Sequence, residues 1–97
     1  MPVLGVKIRL TASEERKLRA LANASSRPLG NYVAWLLTRP RAKSVSLPER
    51  KGGLRTVSIC IPASAAAARQ IRSAAKADMR SLSGYVEVRV REHVAVR

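Results

Sequence analysis

Two short stretches of the chain alternate strictly between apolar and polar residues. In Val6-Lys7-Ile8-Arg9-Leu10, an extended backbone places Val6, Ile8 and Leu10 on one face and Lys7 and Arg9 on the other. In Val57-Ser58-Ile59-Cys60-Ile61 the inward residues are Val57, Ile59 and Ile61, which leaves Thr56, Ser58 and Cys60 outward. Each stretch predicts a short strand with one face for a core and one for solvent.

After each strand the apolar period lengthens to that of a helix. Thr11-Ala12-Ser13-Glu14 has the form of a capping box, and Leu18, Leu21 and Ala22 supply the apolar stripe of the helix it would start. Ser26, Arg27 and Pro28 mark a turn, with proline suited to the first position of a second helix. Leu29, Tyr32, Val33, Leu36 and Leu37 then fall on one helical face until Arg39-Pro40 ends the run. Downstream the order repeats, with a cap at Ser64, a helix-favouring run Ala65 to Ala68, and a second stripe of Leu82, Tyr85, Val86 and Val90. Residues 86–91, Val-Glu-Val-Arg-Val-Arg, also alternate and taken alone suit a strand. The repeated order favours a helix there, with Arg89 standing where the first stripe has Leu36.

A shift of 53 residues pairs Arg16 with Arg69, Arg19 with Arg72, Ala22 with Ala75, Arg27 with Arg80, Leu29 with Leu82, Tyr32 with Tyr85 and Val33 with Val86. The strands align best at 51, which places two additional residues, Pro62 and Ala63, before the second set of helices. The expected organisation is one domain over residues 1–97: a first strand-helix-helix repeat at 5–39, a basic connector at 40–53 and a second repeat at 54–97. A lone strand leaves its backbone groups unpaired and must find a partner, and its nearest partner is its own copy. The predicted fold is therefore mainly α with a two-stranded antiparallel β-ribbon. Four helices cover one face of the ribbon, making a pseudo-dimer within one chain.

Charge alters this picture most. Nineteen Lys and Arg against six Asp and Glu leave a formal charge of +13, which calls for a polyanionic partner. A membrane partner is not expected, because no apolar run approaches the ~20 residues of a spanning helix. The six acids form no catalytic pair, and neither the single cysteine, Cys60, nor the single histidine, His93, has metal-ligand company. The expectation is a protein that is not an enzyme and carries no cofactor or metal. The first ten residues lack the apolar segment of a signal peptide, so a reducing, cytoplasmic setting is expected. Trp35 lies off the main stripe, at the edge of the core.

A short alternating strand, a capped helix, a turn and a second striped helix resemble the ribbon-helix-helix DNA-binding family, which includes the Arc and MetJ repressors. The likeness covers residues 5–39 and 54–94. Two copies in one chain resemble the TraY-like proteins, and the first copy is similar to MobC- and NikA-like relaxosome accessory proteins. The resemblance implies a ribbon lying in the major groove of double-stranded DNA, with Lys7, Arg9, Thr56, Ser58 and Cys60 facing base edges. It implies phosphate contacts at the second helix of each copy, from Arg27, Leu29, Gly30 and Asn31 and from Arg80, Ser81, Ser83 and Gly84. Arg41, Lys43, Arg50 and Lys51 in the connector are further phosphate candidates. Because the two strands differ in outward chemistry, an asymmetric recognition site is expected. The implied role is accessory to plasmid or conjugative DNA transfer, in partnership with a relaxase or other DNA-processing enzyme and with further copies side by side on DNA. The alternative is a transcriptional repressor, autoregulatory or antitoxin-like.

Overall fold

A computed structural model describes residues 3–39 and 53–95 of the chain. Within them the order is β1 (Val3–Leu10), α1 (Ala12–Ala24), α2 (Leu29–Leu37), β2 (Arg55–Pro62), α3 (Ala65–Ala77) and α4 (Leu82–Ala95). The fold is mainly helical with one two-stranded antiparallel sheet, in which Val3 faces Pro62, Val6 faces Ile59 and Leu10 faces Arg55. Burial alternates along both strands. Leu4, Val6, Ile8 and Leu10 from β1 and Val57, Ile59 and Ile61 from β2 enter the core, where Leu18, Ala22, Tyr32, Val33, Leu36, Val86, Val90 and Val94 from the helices meet them. Burial of these aliphatic side chains, each contributing roughly 1.5–3 kcal/mol, holds the helices to one face of the ribbon.

The helix ends follow the local chemistry. Thr11 caps α1 by accepting from the Glu14 N–H at 3.1 Å, and the Glu14 carboxylate accepts from the Thr11 N–H at 2.9 Å, completing the capping box. Ser64 caps α3 with a single bond from the Ala67 N–H at 3.1 Å. Both helices close with the same left-handed residue, Ser26 at φ 54° and Met79 at φ 56°. The N–H groups of Arg27 and Arg80 return to the carbonyls of Ala22 and Ala75, so both ends form a Schellman motif. Pro28 is the N-cap of α2 and not its first helical residue, with ψ 154° leading the chain into Leu29.

The strand offset expected from sequence is corrected. Thr11 and Ser64, Ala12 and Ala65, Ser26 and Met79, and Leu29 and Leu82 all stand 53 residues apart, and the buried positions of the strands follow the same spacing. Leu4, Val6, Ile8 and Leu10 thereby match Val57, Ile59, Ile61 and Ala63, and Ala63 is buried. Pro62 is the last strand residue and Ala63 a core position; they are not additions. A two-residue slip leaves an apolar alternation unchanged, so the closer residue match at 51 does not decide which strand positions are equivalent in the fold.

Residues 86–91 are helical within α4. Helical spacing buries Tyr85, Val86, Arg89, Val90 and Val94 together, whereas the alternating reading would have grouped Val88 with Val86, Val90 and Val94 and turned Tyr85 and Arg89 to the opposite face. Arg89, where an apolar residue would fit the stripe, is buried at 7% exposure and held by three hydrogen bonds. Its guanidinium donates to the Tyr85 hydroxyl at 2.8 Å and to the carbonyls of Leu36 and Arg39 at 3.1 and 2.8 Å, supplying a cation to the C-terminal end of α2. A second clasp joins α1 to α4: Arg91 Nε donates to Glu14 Oε2 at 3.1 Å, with both side chains largely buried.

Candidate nucleic-acid interface

The outward face of the ribbon carries Val3, Gly5, Lys7 and Arg9 from β1 and Thr56, Ser58 and Cys60 from β2, all exposed, with half-buried Pro62 at the strand end. The register sorts them by position along the ribbon. Lys7 faces Ser58 and Arg9 faces Thr56, so four polar side chains share one end. Gly5 faces Cys60 and Val3 faces Pro62 at the other end, which has no ionisable side chain apart from the thiol. The five residues expected to face base edges thus share one surface, but Cys60 is separated from the other four by the Val6–Ile59 pair. Unlike chemistry therefore runs from end to end of the ribbon as well as from strand to strand, since both cations of the open face stand on β1.

Lys7 and Arg9 have no carboxylate paired to their side chains among the described residues, although acids stand close by. Those acids are engaged elsewhere. The Glu87 carboxylate accepts from the backbone N–H of Arg9 at 2.6 Å, fastening α4 to the outer edge of β1. Glu15 pairs with Arg19 at 3.0 Å and, more loosely, with Arg55 at 3.8 Å. The basic groups of the ribbon face are left to solvent.

The two helix N-termini expected to hold phosphates differ. At α2 no side chain caps the first turn, so the N–H groups of Leu29, Gly30 and Asn31 have no partner within the helix. Arg27, just ahead of it, lies with its guanidinium 5.0 Å from the centroid of Trp35, which Arg39 also approaches at 5.3 Å. At α4 the Ser81 hydroxyl already accepts from the Gly84 N–H at 3.1 Å, and Arg80 is tied to Asp78 at 2.7 Å. Gly30 is small for a reason other than room for a phosphate: a side chain there would overlap the backbone carbonyl of Cys60. Arg41, Lys43, Arg50 and Lys51 lie outside the described residues.

Composition flagged a basic chain without showing where most of its cations lie. Arg16, Lys17, Arg69, Arg72 and Lys76 are exposed on α1 and α3 and carry no ion pair among the described residues. The recurrence of Arg16 at Arg69 was the signal that could have found this helical charge. His93 and Tyr32 share a hydrogen bond of 2.6 Å beside Trp35, which accounts for the lone histidine as a packed group. No cluster of metal-binding side chains occurs among the described residues, and no helix there is long and apolar enough to cross a membrane. Comparison of the chain with protein-family models, curated proteins and solved structures gives no match.

Proposed function

We propose that this protein binds double-stranded DNA by laying its β1–β2 ribbon in the major groove, as two ribbon-helix-helix copies joined in one chain. The observation that carries the reading is the register, which puts Lys7 beside Ser58 and Arg9 beside Thr56 on the open face of a ribbon whose other face is core. A two-stranded ribbon has the width of the major groove, and Arg and Lys match the acceptor edge of guanine. The net charge of +13 supplies the sequence-independent attraction to phosphate. The uncapped N-terminus of α2 and the exposed cations of α1 and α3 support further backbone contacts. The common spacing of 53 residues between caps, left-handed turns and buried strand positions supports descent of the halves from one repeat.

Within that class we assign the protein to site marking at a transfer origin, on the sequence likeness to relaxosome accessory proteins, with self-repression as the competing role. Binding is tested with duplex DNA, single strands and RNA of one length at one salt concentration. A preference for duplex DNA that weakens when Lys7 and Arg9 are replaced by Ala supports the groove reading; equal affinity for all three removes it. Footprints across a transfer origin and across the protein's own promoter decide between the two roles.

A further inference from the structure

We infer that the duplex read by this ribbon is non-palindromic, with a guanine-bearing half under Lys7 and Arg9 and a thymine-lined half under Val3, Cys60 and Pro62. The inference rests on the groove-binding reading and adds the kind of sequence that is bound.

The facing pair Val6–Ile59 marks the pseudo-twofold axis of the ribbon: any antiparallel facing pair has a local twofold through its midpoint, and in this pair the two residues stand 53 apart, the spacing that relates the caps and turns of the two halves. That axis exchanges Lys7 with Cys60, Gly5 with Ser58, Arg9 with Pro62 and Val3 with Thr56. A ribbon that reads a palindrome carries like residues at exchanged positions. Here every exchange replaces a polar group by a small or apolar one.

The outermost pairs on the open face, Val3–Pro62 and Arg9–Thr56, lie three residues from the centre on either side. At ~3.4 Å per residue that is about 10 Å, or roughly three base pairs in each direction at 3.4 Å per base pair. The chemistry at each end then selects bases. Arg9 and Lys7 offer several donors and no acceptor, matching guanine N7 and O6, and the hydroxyls of Ser58 and Thr56 adjust to either role. At the other end Val3 and Pro62 present hydrocarbon and Gly5 nothing, while the Cys60 thiol is only a weak donor. Pressed against guanine or cytosine, that end would strip water from polar edges and return no hydrogen bond. Against thymine it meets the C5 methyl group instead.

The test is selection from a duplex pool randomised over the contacted region, using the full chain. The wild type is expected to enrich guanines on one side of a core of about six base pairs and thymines on the other. Arg9→Ala should abolish enrichment at one guanine position and leave the thymine half unchanged, with binding to the selected site weakened about tenfold or more. Cys60→Lys, at the position that mirrors Lys7, should create guanine enrichment in the thymine half; helical content checks that each variant folds. A palindromic consensus, or enrichment confined to one half with no preference in the other, overturns the inference and leaves DNA binding intact. Failure to retain any duplex overturns the groove-binding reading itself, and the inference with it.

Discussion

Gly30 and Cys60 meet backbone to backbone: a methyl group on Gly30 would overlap the Cys60 carbonyl oxygen. This close approach seats the start of α2 against the outer edge of β2, at the strand that carries Thr56, Ser58 and Cys60 on its open face. The clash is with backbone on both sides, so no side-chain rotation can relieve it.

Gly30→Ala is accordingly expected to destabilise the protein. Alanine gains about 1 kcal/mol of helix propensity over glycine, but overpacking against a fixed strand costs about 1–3 kcal/mol or more. The net is a loss, read as a lower urea midpoint. Gly5→Ala is the control, because a methyl group there meets nothing within 4 Å. An unchanged midpoint for Gly30→Ala would show that α2 can move off β2 without cost.

Arg89 stands out as a cation in the core. It donates to two carbonyls at the end of α2 and to the Tyr85 hydroxyl, so an apolar replacement removes three hydrogen bonds, two of them buried, while the Leu36 carbonyl keeps the Arg39 N–H. Arg89→Met preserves much of the volume and is expected to cost about 2–4 kcal/mol, because the lost bonds to a charged donor, about 1.5–3 kcal/mol each, are partly offset when no charge has to be buried. Arg89→Lys keeps the charge but cannot fork to two carbonyls, and should recover only part of the loss. Equal midpoints for the Met variant and the wild type would mean that water replaces the guanidinium.

Both strands, the Thr11 capping box and the stripes through Tyr32 and Val33 were legible in the sequence because each rests on local chemistry or on a short period. The extension of β1 back to Val3 was not, since Val3 and Gly5 break the polar side of the alternation. Strand register was beyond reach for a related reason: Val-x-Ile-x-Ile fits its partner equally well after a two-residue slip. The pairing of Val6 with Ile59 fixes it, and the burial of Leu4 and Ala63 agrees. The candidate surface was legible as a set of outward residues, but its sorting into a polar and an apolar end depends on that register and so stayed hidden. The repeat set Arg89 at the stripe position of Leu36, but how a cation is held there could not be read, because two of its three acceptors lie about 50 residues upstream.

Met79 holds a left-handed backbone at φ 56° while its side chain is exposed. A non-glycine residue there carries about 1 kcal/mol of steric cost, and its side chain packs against little that would be lost. Met79→Gly is expected to raise stability by up to about 1 kcal/mol, seen as a higher thermal midpoint, with part of the gain offset by the freer unfolded chain. Ser26→Gly tests the same geometry at the end of α1. A fall in midpoint for both variants would show that the Schellman turns gain nothing from glycine.

The unequal helix N-termini make a prediction about salt. Arg80 is neutralised by Asp78, whereas Arg27 rests on an aromatic ring and keeps its charge available. If both stand near phosphates, Arg27→Gln should lower the slope of log K against log salt by about 0.9, and Arg80→Gln by clearly less. Asp78→Asn should do the reverse, freeing Arg80, strengthening binding at low salt and steepening the slope by up to about 0.9. None of the three should change which sequence is preferred, because phosphate contacts set position and carry no base information. Titrations of one duplex at several salt concentrations give the slopes. Identical slopes for wild type and Asp78→Asn would place Arg80 away from the DNA backbone.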